Sequence, residues 1–349
     1  MIPNTPIHSI SRRFRHLAFA CVALGLLVQS ALDAAVKSHS IGTNFWFLAP
    51  GWSGEHPFKE NIPANPYSTG FDIWNPVFIE EISFYSCLRF MDWGSTNNYT
   101  GTSWSQRRLP DDPEHFVAIP VGTRDVPGMA YEWMIDLCNR VDADIWICLP
   151  TRVDDGYVRE LATLIQSKLK PELKIFVEYS NEVWNFQKPQ RWCQAKGVEM
   201  GLTNNFNGAM KYQVFRSAEI WKIFESVFGD DTARVINVLA GKSTSPWTTE
   251  KLHLDAAFDP TFNTIGVFPE AYAIAPYFGG NGLKGSDPEI FDKLRQDIFE
   301  KRPEGARGAG QDSRLQNVKD QHAVVVGKYN LHLLAYEGGQ HVHHDAVKP

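Results

Sequence analysis

The stretch KIFVEYSNEVWN, residues Lys174 to Asn185, decides how the rest of the chain is interpreted. Its first half is apolar and rich in β-branched and aromatic residues, which predicts a buried strand that stops at the polar pair Asn181 and Glu182. A second stretch, YNLHLLAYEGGQ from Tyr329 to Gln340, has the same form, because an apolar run precedes Glu337 and two glycines. In a barrel of parallel strands, the catalytic groups lie where the strands end.

Strands and helices alternate from about residue 40 onward, which implies parallel strands with helices packed outside. Seven strands are predicted, at Ser40–Phe47, Ser83–Met91, Asp144–Leu149, the run from Lys174, Arg234–Ala240, Tyr272–Tyr277 and Leu331–Tyr336. Helices are predicted at Gly128–Val141, Asp155–Leu169, Asn207–Phe228, Pro288–Glu300 and Arg314–Tyr329. Glu182 then ends the fourth strand and Glu337 the seventh.

The strand count predicts an α/β fold of the TIM-barrel type, (β/α)8, truncated before its eighth strand. Only twelve residues follow Glu337, and HVHHDAVKP is a poor strand. We therefore favour truncation over a strand missed elsewhere in the sequence.

The beginning of the chain has the layout of a secretory signal peptide. Arg12, Arg13 and Arg15 precede LAFACVALGLLVQSAL, a run too short for a confident membrane span, and small residues follow. We expect a signal over residues 1–35 and one barrel domain over 36–349, which makes the mature protein secreted, extracellular or periplasmic, and free of the membrane. An uncleaved anchor is the alternative.

Composition and spacing argue against several classes of partner and cofactor. A net charge of -6 gives no support for a nucleic-acid partner. The cysteines after the signal have no zinc-site spacing, and those inside predicted strands, Cys87 and Cys148, are expected to be free thiols. The histidines of the final HVHH are expected to be solvated rather than metal ligands, although His341 lies close enough to Glu337 to contact a substrate. No metal or organic cofactor is predicted.

Two glutamates, each ending its own strand, are the minimal equipment for cleaving a glycosidic bond, and retention requires that the two carboxyl groups lie close together. One must be ionised to attack the anomeric carbon, a role that we assign to Glu337. The other must begin protonated to release the leaving oxygen, and we assign this role to Glu182. Their pKa values can differ because their surroundings differ. Asn181 beside the acid can donate a hydrogen bond to a sugar 2-hydroxyl.

The nucleophile also needs cationic or donor groups nearby. Arg89 at the end of the second strand is expected to supply charge, and Tyr277 at the end of the sixth a phenol hydrogen bond. A buried arginine requires a carboxylate partner even in a purely structural role. Three tryptophans near strand ends, Trp46, Trp93 and Trp184, either line a sugar-binding cleft or belong to the core.

Asn181-Glu182 on the fourth strand, Glu337 on the seventh, Arg89 on the second and Tyr277 on the sixth together resemble clan A of the glycoside hydrolases. The resemblance covers roughly residues 40 to 341. It implies a (β/α)8 fold, a retaining mechanism, an acid/base at Glu182 and a nucleophile at Glu337. The chain departs from the clan in having no predicted eighth strand, where a tryptophan usually floors the sugar site.

These observations predict a secreted retaining glycoside hydrolase that binds and cleaves a β-linked carbohydrate by double displacement. A polysaccharide such as a β-glucan is favoured over a small glycoside. The long Trp-containing connection Ala49–Pro76 is expected to build part of an open cleft, which favours endo-action. The alternatives are a carbohydrate-binding barrel without turnover, which the missing strand favours, and a transglycosylase.

Overall fold

A computed structural model describes residues 42–44, 57–112, 125–279, 288–301 and 312–340. In these residues the predicted α/β fold is present as a sheet of seven parallel strands, whose spatial order follows their order along the chain. The strands β1 to β7 are Gly42–Asn44, Cys87–Phe90, Asp144–Leu149, Ile175–Tyr179, Val235–Ala240, Ala271–Ile274 and His332–Ala335. All seven predicted strands are confirmed, most of them with shorter bounds.

Residues from both edge strands line one interior cavity of about 590 Å³, which shows that the sheet is curled. β1 contributes Gly42 and Thr43 to the cavity wall, and β7 contributes Leu334 and Ala335. Among the described residues β1 and β7 are the two edge strands of the sheet and do not pair with each other. The architecture is a (β/α)8 barrel that is one strand short in the described part of the chain.

Helices follow most of the strands and cover the outside of the sheet. The helices α1 to α8 are Pro76–Ile82, Tyr131–Val141, Asp155–Lys168, Lys188–Glu199, Phe206–Phe228, Asp255–Phe258, Ile290–Phe299 and Arg314–His322. Wider helical turns at Thr248–Leu254 and Ala323–Lys328 precede α6 and follow α8, and single tighter turns lie at Trp104–Gln106 and Gly229–Arg234. The sequence analysis missed α1, α4 and the short α6.

The long helix α5 fixes the position of β4, the strand that leads to Glu182. Asn205 caps α5 by accepting a hydrogen bond from the Gly208 amide. An apolar stripe along α5 is buried, at Val214, Ala218, Trp221, Phe224 and Phe228. Trp221 also donates its indole N–H to the Val177 carbonyl of β4 at 3.0 Å. Burying a set of side chains this large anchors β4 firmly against the helix layer.

Residues along each strand alternate between two cores, as the two-residue period of a strand requires. On β3, Ile145 and Ile147 join the large core between sheet and helices. Trp146 and Cys148 belong to a smaller cluster in the barrel interior. The four cysteines within the described residues are free thiols, as predicted for Cys87 and Cys148.

The described part of the connection before α1 forms core and not cleft. Phe58 and Trp74 are buried, and the Trp74 indole stacks on Trp93 with ring centroids 6.4 Å apart. Trp93 is only 1% exposed. The proposed cleft role of Trp93 is therefore wrong, because the ring is enclosed by other aromatic rings on its own side of the sheet. Trp46 lies outside the described residues.

Candidate active site

A cavity of about 710 Å³ opens where the strands end. Most of the residues in its wall have polar side chains, and the wall includes the segments that follow β2, β4 and β7. The lining residues are Met91, Asp92, Asn97, Asn98, Asn181, Glu182, Trp184, Asn185, Gln187, Lys188, Arg191, Tyr277 and Glu337. Five of the residues predicted from the sequence are in this wall, and Arg89 lies directly behind it. The residues that the strand-end rule selected therefore lie together around one cavity.

Glu337 is held between a cation and a phenol. It lies two residues beyond the end of β7, and its side chain is 12% exposed. Arg89 Nη1 donates to Glu337 Oε1 at 3.1 Å, and Tyr277 Oη donates to Glu337 Oε2 at 2.8 Å. The prediction placed Tyr277 at the end of β6. It lies instead in a separate short strand, Tyr277–Phe278, which pairs with Gly339–Gln340. Both predicted partners of Glu337 thus contact it.

Arg89 has a second carboxylate partner that the sequence analysis missed. Glu178 in the middle of β4 is 1% exposed and accepts two hydrogen bonds from Arg89, from Nε and from Nη2, each at 3.1 Å. Trp146 Nε1 and Cys148 Sγ also donate to Glu178, at 2.8 and 3.3 Å. A guanidinium held in this way has one orientation, so its remaining nitrogen is directed at Glu337.

Among the described residues, the hydrogen-bond partners of Glu182 are neutral donors. Asn185 Nδ2 donates to its Oε2 at 2.8 Å and Tyr336 Oη to its Oε1 at 3.1 Å. Burial raises the pKa of Glu182 and the negative charge of Glu337 adds to this rise, while the hydrogen bonds from Asn185 and Tyr336 oppose it. The backbone φ of Glu182 is +44°, an uncommon value for a residue with a Cβ. The carboxyl group is therefore fixed in place and favours its protonated form more than a solvated glutamate does.

Tyr336 connects the segment that carries Glu337 with the segment that carries Glu182. It precedes Glu337 in the chain, donates to Glu182, and accepts a hydrogen bond from Trp184 Nε1 at 3.2 Å. The Arg89 guanidinium lies 4.9 Å from the centre of its ring, which adds a cation–π contact. The sequence analysis gave Tyr336 no role, because it reads as the last apolar residue of a strand.

Asn181 is oriented by Arg89. Its Oδ1 accepts from Arg89 Nη2 at 2.9 Å, which leaves the amide nitrogen as the group that faces the cavity. That nitrogen makes one long contact, 3.4 Å to Asn97 Oδ1. An amide donor on this wall is what a sugar hydroxyl beside the two carboxyl groups would need.

Asp92 is a third carboxyl group in the cavity wall, and the sequence analysis assigned no function to it. Burial raises the pKa of Asp92 to about 7, and the negative charge of Glu337 adds to the rise while Arg89 opposes it. Its Oδ2 atom is buried without a hydrogen-bond partner among the described residues. The sequence signal was a polar residue two positions after a strand end.

The remaining predicted site residues divide into two groups. Trp184 lines the cavity, partly exposed, and Lys242 lies 5.8 Å from the centre of its ring. His341 and Trp46 lie outside the described residues, as does the predicted signal over 1–35.

In the part of the chain that the structure covers, no three His, Cys, Asp or Glu side chains gather as they would around a metal ion. Over the same residues, no helix has both the length and the apolarity needed to cross a bilayer.

No protein-family model and no curated protein matches this sequence. Solved structures with a similar backbone include a β-glucosidase from Thermotoga maritima, at 11% identity and a TM-score of 0.43 over 86% of this chain and 76% of that one. They also include a β-mannanase from the blue mussel Mytilus edulis, at 11% identity and a TM-score of 0.33 over 86% and 92% of the two chains. Superpositions this loose decide neither fold nor activity, so the chemistry has to be inferred from the side chains of the site.

Proposed function

We propose that this chain is a retaining glycoside hydrolase that cleaves β-linked glycans. One observation carries the proposal: two glutamates in the wall of one cavity have opposite surroundings. Glu337 is ion-paired with Arg89, whereas Glu182 has a raised pKa and neutral partners. Two carboxyl groups whose surroundings differ in this way provide the nucleophile and the acid that double displacement requires.

In the first step a carboxylate oxygen of Glu337 attacks the anomeric carbon and the bond from that carbon to the leaving oxygen breaks. Glu182 gives its proton to the leaving oxygen, so the departing sugar leaves as an alcohol. In the second step Glu182, now ionised, takes a proton from water. The water oxygen attacks the anomeric carbon, and the ester to Glu337 breaks.

The surrounding groups fit the charges that develop during these steps. Arg89 and Tyr277 hold the attacking carboxylate in one position, which limits the reorganisation needed at the moment of reaction. We assign the amide nitrogen of Asn181 to the sugar 2-hydroxyl, a hydrogen bond that strengthens toward the transition state. No step requires a metal or an organic cofactor.

We also propose that the substrate is a polymer or oligomer and that the protein acts outside the cytoplasm. The cavity wall continues past Glu182 along Trp184, Asn185 and Gln187 to Arg191, which leaves room for a sugar on the leaving-group side. The secretory layout of residues 1–35 supports export, and extracellular glycans are the substrates that an exported enzyme meets.

A substrate panel tests the proposal. β-Glucans, mannans, xylans and galactans are incubated with the wild type, with Glu182→Ala and with Glu337→Ala. Glu160→Ala is the matched control, because Glu160 is an exposed glutamate on α3 away from the cavity. We expect release of reducing sugar from one glycan class by the wild type and the control alone.

Each other outcome of the panel has a distinct meaning. Equal activity in all four proteins would refute the catalytic pair. Glycan binding by the wild type without turnover would identify a carbohydrate-binding barrel. Products longer than the substrate would identify a transglycosylase that uses the same intermediate.

A further inference from the structure

Asp92 is a carboxyl group of the cavity wall that has no role in the proposed mechanism. It lies two residues beyond β2, the strand that carries Arg89, and lines the cavity together with Glu182 and Glu337. Its Oδ2 atom is buried, and no hydrogen bond reaches that atom from the described residues. A buried polar atom without a partner is rare in native proteins and requires an explanation.

The backbone around Asp92 is held in one conformation. The Asp92 carbonyl accepts a hydrogen bond from the Ser95 amide at 2.8 Å. Thr96 Oγ1 donates to the Met91 carbonyl, also at 2.8 Å, and the Trp93 side chain is buried. The segment that carries the Asp92 carboxyl group is therefore fixed at the cavity wall.

The charge of Asp92 is poorly compensated. Arg89 lowers its pKa, but this guanidinium donates to Glu178, Glu337 and Asn181. Burial and the charge of Glu337 raise the pKa of Asp92, and the net result is a value of about 7. An ionised Asp92 therefore makes the folded protein less stable than a neutral side chain would. Binding and catalytic residues commonly have such an unfavourable environment.

Asp92 lies closer to Glu337 than to Glu182. The charge of Glu337 acts on both of the other carboxyl groups, whereas Glu182 is not among the charges that act on Asp92. The interaction between two charges weakens with distance, which gives this order. In the proposed mechanism Glu337 attacks the anomeric carbon and Glu182 protonates the leaving oxygen. Asp92 is therefore on the side of the sugar that is attacked and not on the side of the leaving group.

We propose that Asp92 accepts a hydrogen bond from a hydroxyl group of the sugar that Glu337 attacks, and that it thereby selects the glycan. This inference rests on the proposed function, because it takes Glu337 as the nucleophile. A carboxyl oxygen is a hydrogen-bond acceptor, and a sugar hydroxyl supplies the donor that the described residues do not direct at Asp92 Oδ2. A sugar without that hydroxyl is rejected, because it leaves a buried carboxyl group unpaired.

The experiment removes the carboxyl group and the hydroxyl group separately and together. The substrates are aryl β-glycosides of the disaccharide unit of the glycan that the wild type cleaves fastest. They are deoxygenated one position at a time in the ring that carries the aryl group. We expect Asp92→Ala to lower kcat/KM for the parent glycoside roughly ten- to a hundredfold, the size of a hydrogen bond to a charged group. For one deoxy analogue the wild type and Asp92→Ala should have equal kcat/KM, because the contact is already absent.

A stability measurement distinguishes contact with the sugar from a role in folding. Asp92→Asn keeps the shape of the side chain and removes its charge. The urea midpoint at pH 8 should therefore rise above that of the wild type while kcat/KM for the parent glycoside falls. A residue that serves only the fold would lower both. Asp231→Ala is the control with unchanged kcat/KM, because Asp231 is exposed in the turn before β5, at the opposite end of the sheet.

Two results with the aryl glycosides would overturn the proposal. One is an unchanged kcat/KM for the parent glycoside in Asp92→Ala, and the other is the same loss from every deoxygenation in the variant as in the wild type. If the wild type cleaves no glycan, the proposed function fails separately, and calorimetry with cellopentaose decides the contact. Binding roughly ten- to a hundredfold weaker in Asp92→Ala would support it. Equal binding, or no binding by the wild type, would overturn it.

Discussion

The surroundings of Glu182 and Glu337 differ although the two side chains are chemically identical and share one cavity. Glu337 contacts a buried guanidinium and a phenol, and Glu182 contacts an amide and a phenol. In the proposed mechanism this difference assigns the roles, because the carboxyl group that contacts a cation would act as the nucleophile and the desolvated one as the acid.

The guanidinium of Arg89 is itself held in position by a glutamate in the barrel interior. Arg89 makes one hydrogen bond to Glu337 but two to Glu178, which is buried in the barrel interior. The contrast between the two catalytic candidates therefore depends on a third glutamate that no substrate reaches. Each of the following variants changes a residue that surrounds Glu337 or Glu182.

Replacing Arg89 by methionine should have the largest effect. The change leaves Glu178 buried without its charge partner, which costs about 3–5 kcal/mol of unfolding free energy when one half of a buried pair is removed. It also removes the cation from Glu337, so activity should be abolished. Denaturant unfolding and glycan hydrolysis measure the two losses.

The double variant Arg89→Met/Glu178→Gln separates these two effects. It removes the unpaired buried charge, so most of the stability should return while the activity stays absent. Recovery of activity together with stability would mean that Arg89 acts only as a structural element.

Tyr277→Phe should have the next largest effect, and on activity alone. Tyr277 donates one hydrogen bond to the Glu337 carboxylate. Hydrogen bonds to charged groups contribute about 1.5–3 kcal/mol, so kcat/KM should fall roughly ten- to a hundredfold. The pH at which activity declines on the alkaline side should not move, because that limb reports Glu182. A shifted alkaline limb would instead connect Tyr277 with the acid.

Asp92→Asn should stabilise the protein in alkaline solution. Because its pKa is about 7 in the folded state and 3.8 ordinarily, the folded protein retains this proton where the unfolded chain has lost it. Stability is therefore lost as the pH rises from about 4 to 7, and the neutral amide avoids that loss. We expect Asp92→Asn to exceed the wild type by about 1–2 kcal/mol at pH 8, allowing for partial exposure of the group. Urea unfolding at pH 4 and pH 8 checks the sign; a gap that grows at pH 4 would contradict it.

Asn185→Ala should have the smallest effect, a displacement of the pH profile. The Asn185 amide donates to Glu182 and lowers its pKa, so its removal should raise that pKa further. Since Glu182 must be protonated to act as acid, the alkaline limb of kcat/KM should move to higher pH by less than about one unit. Movement to lower pH, or of the acidic limb alone, would show that Glu182 is not the acid.

Much of this site was predictable because strand order is a topological property. Once seven parallel strands are counted, Arg89, Glu182 and Glu337 must lie near the carboxyl ends of the strands, and they do. Tyr277 was found for the same reason, although it lies beyond β6 in a separate short strand.

The residues that escaped prediction depend on contacts that no local pattern carries. Glu178 reads as one polar letter in an apolar strand, and its partner Arg89 is 89 positions away. Trp93 was left open between cleft and core because residues after a strand have no two-residue period that fixes their direction. Helix α4 was missed because few of its residues are apolar, and it buries only Pro189, Gln190, Cys193 and Gly197.

Trapping the covalent intermediate tests the opposite roles of Glu182 and Glu337 most directly. A 2-deoxy-2-fluoro-β-glycoside with a good leaving group, of the sugar that the wild type cleaves, should esterify the nucleophile and be released slowly, because fluorine destabilises both positively charged transition states. Digestion and mass spectrometry should find one sugar per chain, on the peptide that contains Glu337. A label on Glu182 or Asp92, or hydrolysis with inversion at the anomeric carbon, would contradict the assignment.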